Sequence, residues 1–220
     1  YYFDVAEGLK RLGHEVHFFA MEGPENEPCE DVDLFVSAKD YNGPSNIGQM
    51  VSAATSLIYS KEAKRKFQEL CERVRPDVVH MNLVHRQITL SILDAPYIKQ
   101  HKVPVVFTSH DYILVCPSYV MLDGRGEACD ACLGGRFLNC LKKKCVKGST
   151  AKSGMAFAEA EFLKLTGAYR RIDKIIAPSE FMRDKLIEGG GPSEQVVHMQ
   201  NFAKDEVLES ARDSQDRTDW

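Results

Sequence analysis

The sequence predicts an α/β fold, a doubly wound parallel sheet with helices on both faces. Short apolar runs without alternation, such as VPVVFTSH at 103–110, are typical of strands buried on both faces. Segments whose apolar residues follow helical spacing separate these runs. Strands that alternate with helices along a chain indicate a parallel sheet.

The first elements are a helix and a strand. Val5, Leu9 and Leu12 fall on one face of a helix that Gly13 ends, and HEVHFFAM at 14–21 follows as a strand. This helix has no N-cap residue and no strand before it. We therefore expect the chain to be a fragment that lacks the first strand of its domain.

A long amphipathic helix is predicted next. It follows a turn-rich stretch, a short apolar run at 34–36 and the sequence Gly-Pro-Ser at 43–45, and it extends to Arg75-Pro76. The apolar residues that define its buried face are Ile47, Met50, Val51, Ala54, Leu57, Ile58, Phe67, Leu70, Cys71 and Val74.

The second half of the chain repeats the alternation of strands and helices. Its strands are DVVHMN at 77–82, VPVVFTSH at 103–110, IDKIIAPS at 172–179 and the short VVHMQNF at 196–202. Helices are predicted at 88–102, with a bend near Pro96, at 155–171 and at 180–191. Ser179 is placed to cap the last helix, and the glycines from 189 onward end it.

Composition limits the classes of partner. The 220 residues are 44% hydrophobic and 27% charged, enough for one buried core with a small appendage. A net charge of −4 argues against nucleic acid as a partner, because nucleic-acid-binding domains carry a basic surplus. The sequence contains no signal peptide and no apolar run of membrane-spanning length, so we expect a cytoplasmic protein.

Polar residues end three of the predicted strands. They are His80 and Asn82, His110 and Asp111, and Ser179. Ligands of open parallel sheets bind outside the carboxyl ends of the strands, so we expect these residues to line one crevice. A satisfied strand-end histidine at His80 and a simple helix cap at Ser179 remain alternatives.

His110 is the predicted catalytic residue. A neutral imidazole can accept a hydroxyl proton or orient a sugar hydroxyl. The adjacent Asp111 would either fix the tautomer of the imidazole or bind a hydroxyl directly. No G-x-G-x-x-G or Walker loop accompanies these residues, so the sequence provides no phosphate cradle of those types.

Four cysteines follow the His110 strand with the spacing C-x2-C-x7-C-x4-C. Cys129, Cys132, Cys140 and Cys145 are close enough in sequence to hold one structural zinc ion in a closed tetrahedral site. Such a site would shape a loop and have no open position for catalysis. Two disulfides, an iron–sulfur cluster and unligated thiols are the alternatives.

Lysines surround the last two of these cysteines. They are Lys142, Lys143, Lys144 and Lys147. Their charges would offset the negative charge of a zinc tetrathiolate, although a solvated basic face explains them equally well. Such a face would also suit an anionic, lipid-linked ligand or peripheral contact with a membrane.

Several segments together resemble the N-terminal domain of family-4 retaining glycosyltransferases of the GT-B fold. They are YYFDVAEGLKRLGHEVHFFA, RPDVVHMN, VPVVFTSHDYILVCP and IDKIIAPSEFMRDKLIEGG followed by NF. The resemblance implies a Rossmann-like domain over 1–202 that binds the acceptor, with a cysteine-rich insertion at about 112–150. A second domain, absent here, would bind a nucleotide-sugar donor, and residues 203–220 would be the linker to it.

The resemblance also implies a role for His110, which matches a family position facing the donor sugar. The complete enzyme would transfer a sugar to a glycan or lipid-linked acceptor, as in the synthesis of cell-envelope polysaccharide. The glycine-rich loop and the paired glutamates that hold the donor have no counterpart in these residues, so we expect no turnover from the chain alone. The competing interpretation is a stand-alone, zinc-stapled, flavodoxin-like module that binds a small ligand or a protein.

Overall fold

The computed structural model describes residues 1–38, 55–86 and 88–202. The chain divides into two compact units, one made of residues 1–16 with the chain from 199 onward, and the other of residues 17–198. The predicted helix residues Ile47, Met50, Val51 and Ala54 and the predicted linker at 203–220 lie outside the described residues.

The smaller unit contains the first helix, α1, at Tyr2–Arg11. Ala6 is its buried residue. Gly13 follows with a φ of +88°, a backbone conformation that glycine adopts without steric cost, so the chain leaves the helix where the sequence predicts. The rings of Tyr1 and Phe202 lie 6.0 Å apart, which brings the two segments of this unit together.

The larger unit is built on a parallel sheet of four strands. They are β1 at Val79–Asn82, β2 at Val105–Thr108, β3 at Lys174–Ala177 and β4 at Val196–His198, and they lie in sequential order. Every neighbouring pair is parallel, which confirms the predicted α/β class. The described ladders do not include the reversal of strand order that a doubly wound sheet requires.

The prediction of a strand at 14–21 is wrong. Within the described residues this segment makes a single bridge, between Met21 and Val36. Only Ala20 and Glu22 exchange backbone hydrogen bonds with Val36, so the ladder is too short to form a strand.

One row of side chains crosses the whole sheet and forms the centre of its core. Met81 lies opposite Phe107, Phe107 opposite Ile175, and Ile175 opposite Val196. Each of the four is at most 4% exposed. Because side chains alternate between the faces of a strand, this row places His80, Asn82 and Thr108 together on the opposite face.

Five helices of the larger unit have defined bounds in the described residues. They are α2 at Lys61–Val74, α3 at Pro96–His101, α4 at Leu138–Lys142, α5 at Thr150–Leu165 and α6 at Glu180–Glu188. The predicted bend near Pro96 is confirmed, because a 3₁₀ turn at Leu90–Asp94 ends before Pro96 begins α3. In the part of the chain that the structure describes, no helix is long and apolar enough to cross a membrane.

The prediction of one uninterrupted helix up to Arg75 is wrong. Ser60 has extended backbone angles, and its hydroxyl accepts a hydrogen bond from the Ala63 amide at 3.1 Å, so α2 begins only at Lys61. The amide of Ser60 in turn donates to the Thr89 hydroxyl at 3.0 Å. These contacts tie the start of α2 to the segment that follows β1.

We expect Ser60→Ala to lower the free energy of unfolding by about 1–2 kcal/mol, because Ser60 is a buried helix cap. Ser149→Ala is the matched control, since Ser149 caps α5 through a longer and exposed hydrogen bond to the Lys152 amide. Its cost should be about 0.5–1 kcal/mol. Urea unfolding measures both, and equal costs would contradict the role of burial at Ser60.

Candidate functional site at the carboxyl edge of the sheet

The parallel register brings the carboxyl ends of β1, β2 and β3 to one edge. Asn82 pairs with Thr108, and Thr108 pairs with Ile176. The Ser109 amide continues the ladder by donating to the Ile176 carbonyl at 2.9 Å. His110 therefore leaves the sheet beside the end of β1, as the sequence predicts.

The imidazole of His110 is bonded to the side chain of Asn82. The distance from Nε2 of His110 to Oδ1 of Asn82 is 3.0 Å. Since an amide oxygen only accepts, Nε2 carries the proton in this arrangement and Nδ1 has the lone pair. Burial lowers the pKa of His110, against the opposing charge of Asp111, so the ring is neutral at pH 7.

His80 lies on the same face of the sheet and bonds to Thr108, with 2.7 Å between Nε2 and Oγ1. Burial lowers the pKa of His80, and the charge on a protonated His110 lowers it further. Two imidazoles that influence each other in this way disfavour double protonation. The edge of the sheet therefore presents a pair of neutral histidines at physiological pH.

The Asp111 carboxylate is bonded to the backbone that follows it. Its Oδ1 accepts a hydrogen bond from the Ile113 amide at 2.9 Å and so fixes the turn after β2. Burial raises the pKa of Asp111, although this bond and the charge of Arg86 oppose the rise. The bond from His110 to Asn82 requires the tautomer protonated on Nε2, and a role for Asp111 in orienting the ring stays a prediction.

Ser179 lies two residues beyond the end of β3, and its hydroxyl caps a helix. It accepts a hydrogen bond from the Met182 amide at 3.2 Å and begins α6. This contact supports the helix-cap alternative for Ser179. Hydrogen bonds join His110 to Asn82 and His80 to Thr108, whereas the Ser179 hydroxyl bonds to the first turn of α6.

A polar network that the sequence did not predict lies close enough to Asp111 to interact with its charge. His85 bonds through Nε2 to the Tyr169 hydroxyl at 3.2 Å, and Nε of Arg86 lies 3.4 Å from Oε2 of Glu159. Glu159 is 5% exposed although it belongs to α5, whose buried face is otherwise apolar or small. A carboxylate at helical spacing from Ala156 was the sequence signal that could have revealed it.

The cysteines of the insertion gather around a small second core. Cys132 and Cys140 are buried with Phe137, and Cys145 packs against them. All seven cysteines of the chain have free thiols, so the disulfide alternative is not observed. Burial raises the pKa of Cys132 and that of Cys140 to about 12, and neighbouring thiols, including Cys116, add to the rise.

The zinc ion stays a prediction without support from this geometry. Among the described residues, no three His, Cys, Asp or Glu side chains are arranged to hold a metal ion. Of the predicted basic face, Lys143 contacts a cysteine, with 3.3 Å from its Nζ to Sγ of Cys129. Lys143 also lies 3.6 Å from the Asp123 carboxylate, so a local acidic partner accounts for part of its placement.

Comparison with known families gave one match. The family described as Glycosyltransferase Family 4 matches residues 1–206. No match was found among curated proteins or among solved structures. The matched residues include the whole larger unit and every residue of the candidate site.

We expect His85 to make the protein less stable in acid. Burial lowers its pKa to about 3, so the folded state favours the neutral ring. Its contribution is complete above the unfolded pKa of about 6.5 and falls as the pH drops, by about 2 kcal/mol between pH 7 and pH 5. Urea unfolding at both pH values should show this loss in the wild type and a smaller one in His85→Gln.

The buried carboxyl groups act in the opposite sense in that experiment. Burial raises the pKa of Asp111 and of Glu159, so protonation stabilises the folded state as the pH falls. The comparison with His85→Gln isolates the histidine from these groups. Identical pH dependence in the two proteins would contradict the burial of a neutral His85.

The predicted zinc site has a direct test. Protein purified without added metal should contain about one zinc per chain, and that zinc should be lost from a variant in which Cys132 and Cys140 are both serine. The matched control is Cys29→Ser, which changes a cysteine outside the cluster. Absence of zinc by elemental analysis, with all thiols titratable after unfolding, would refute the predicted zinc site.

Proposed function

The chain belongs to glycosyltransferase family 4, and from this premise we propose that it is the acceptor-side half of a retaining glycosyltransferase. The complete enzyme transfers a sugar from a nucleotide-sugar donor to a glycan or lipid-linked acceptor. A C-terminal domain outside this chain binds the donor and stabilises the departing diphosphate. The cytoplasmic location and any membrane contact through the lysine-rich insertion stay predictions.

The bond between His110 and Asn82 is the observation that carries this proposal. It holds a neutral imidazole at the carboxyl edge of the sheet, where open parallel sheets bind their ligands. A surface histidine with an ordinary pKa would exchange between protonation states near pH 7. Burial and the Asn82 bond instead keep one tautomer and one orientation.

We assign the positioning of the donor sugar to His110. With Nε2 donating to Asn82, the neutral ring has its acceptor lone pair on Nδ1, the kind of group to which a sugar hydroxyl donates. Because a neutral acceptor does not compete electrostatically with the cationic character that develops at a sugar carbon, it suits the transition state of sugar transfer. The contribution is one of orientation, fixing the sugar relative to the incoming acceptor hydroxyl.

We place His80, Asn82 and Asp111 around the same substrates. His80 bonds to Thr108 and its low pKa keeps a second neutral imidazole on that face. The Asp111 carboxylate has one oxygen on the Ile113 amide, and its other oxygen has lone pairs suited to a sugar hydroxyl. Ser179 belongs to this proposal only through the helix that it caps.

In the complete enzyme, His110→Ala should lower kcat by about 100-fold or more, because the donor sugar loses an orienting contact. The free energy of unfolding should change little, since His110 is only partly buried. His101→Ala is the matched control, as His101 is an exposed histidine at the end of α3. Steady-state kinetics and urea unfolding provide both measurements, and unchanged turnover in His110→Ala would refute the assignment.

A further inference from the structure

Arg86 occupies the turn after β1 and reaches two other parts of the larger unit. Its Nε lies 3.4 Å from the Glu159 carboxylate on α5, and its Nη2 donates to the Pro117 carbonyl at 3.2 Å. Its guanidinium carbon also lies 5.4 Å from the centre of the Tyr119 ring. One side chain thus joins the turn after β1, helix α5 and the segment that follows β2.

Stability alone does not explain the ion pair between Arg86 and Glu159. The Glu159 side chain is 7% exposed and that of Arg86 is 33% exposed. The ion pair therefore buries a carboxylate beside a guanidinium that is still partly exposed to solvent. A buried ion pair is often no more stabilising than apolar residues of the same size. Because Arg86 also interacts electrostatically with Asp111 of the candidate site, the pair is suited to hold a particular geometry there.

Backbone hydrogen bonds fold the segment after β2 back toward Asp111. The Tyr112 amide donates to the Tyr119 carbonyl at 3.0 Å, and the Tyr119 amide donates to the Cys116 carbonyl at 2.8 Å. Pro117, which Arg86 contacts, is fully buried between them. Tyr119 is therefore one hydrogen bond away from Tyr112, the residue that follows Asp111.

Backbone strain coincides with these contacts. Arg86 has a φ of +69° and Tyr119 a φ of +61°, a region that residues with a side chain rarely adopt. Strained residues persist only where surrounding contacts hold them, and they concentrate at functional sites. The guanidinium over the Tyr119 ring joins the two strained positions to each other.

We propose that Arg86 is a positioning residue for sugar transfer, which clamps residues 111–119 and thereby fixes His110 and Asp111 at the edge of the sheet. This inference rests on the proposed function. Arg86 acts through the segment and not through contact with the reacting atoms. Glu159 is its anchor on α5.

The charge of Arg86 has a second effect, on the ionisation of Asp111. Among the described residues, the ionisable groups that interact with Asp111 are His110, Arg86 and the hydroxyl of Tyr169, and Arg86 favours the ionised carboxylate. Replacing Arg86 by a neutral residue removes that charge. The acid limb of the pH profile for kcat/KM should then move to higher pH, because Asp111 ionises less readily.

The experiment compares Arg86→Met, Arg86→Lys and a control, Arg170→Met, in the complete enzyme. Arg86→Met should lower kcat by about 10-fold to 100-fold with little change in the donor KM, and shift the acid limb upward. Arg86→Lys keeps the charge without the planar fork, so it should restore the pH profile but only part of kcat. Arg170 is exposed, and its replacement should leave both unchanged.

A double variant separates positioning from stability. Arg86→Met with Glu159→Leu removes the ion pair without leaving a buried charge, so the urea midpoint should equal or exceed that of the wild type while kcat stays low. Wild-type kcat in this double variant, or in Arg86→Met, would overturn the proposal. If His110→Ala also kept full activity, the proposed function would fail as well, whereas loss of activity in His110→Ala alone would reject only the role of Arg86.

Discussion

The parallel register of β1 and β2 is the constraint on which the candidate site depends. It sets Met81 against Phe107 in the core and, one residue further, Asn82 against Thr108 at the edge. Because His110 follows Thr108 by two residues, its ring reaches the Asn82 amide across the gap between the strands. A slip of one residue would turn His80 and Asn82 into the core and expose Met81.

Burial then gives this edge its chemistry. His80 and His110 both have lowered pKa values because their rings are partly shielded from water, and each carries a defined hydrogen-bond partner. The adjoining polar network supplies charges of both signs, since Arg86 pairs with Glu159 and interacts electrostatically with Asp111. The result is a pair of neutral, oriented imidazoles beside a polar network, an arrangement suited to holding an uncharged sugar.

The sequence predicted the parts of this account that follow from local patterns. Continuous apolar runs identified β1, β2 and β3, and residues at their ends identified His80, Asn82 and His110. It did not predict the Arg86–Glu159 pair, because those residues are 73 positions apart and only the tertiary fold joins them. The break before α2 was missed for a related reason, since the Ser60 cap is stabilised by Thr89, a distant residue. The cysteine spacing predicted a metal, and the thiols do lie near one another, but proximity alone does not make a tetrahedral site.

The protonation state of His110 tests the central claim most directly. Long-range proton–nitrogen correlation spectra of the complete enzyme with nitrogen-15-labelled histidine distinguish the two neutral tautomers and the imidazolium, and His110→Gln assigns the signal. We predict that His110 is neutral at pH 7 with its proton on Nε2, and that it titrates below the ordinary histidine pKa of about 6.5. A proton on Nδ1, or titration at or above the ordinary pKa, would contradict the account.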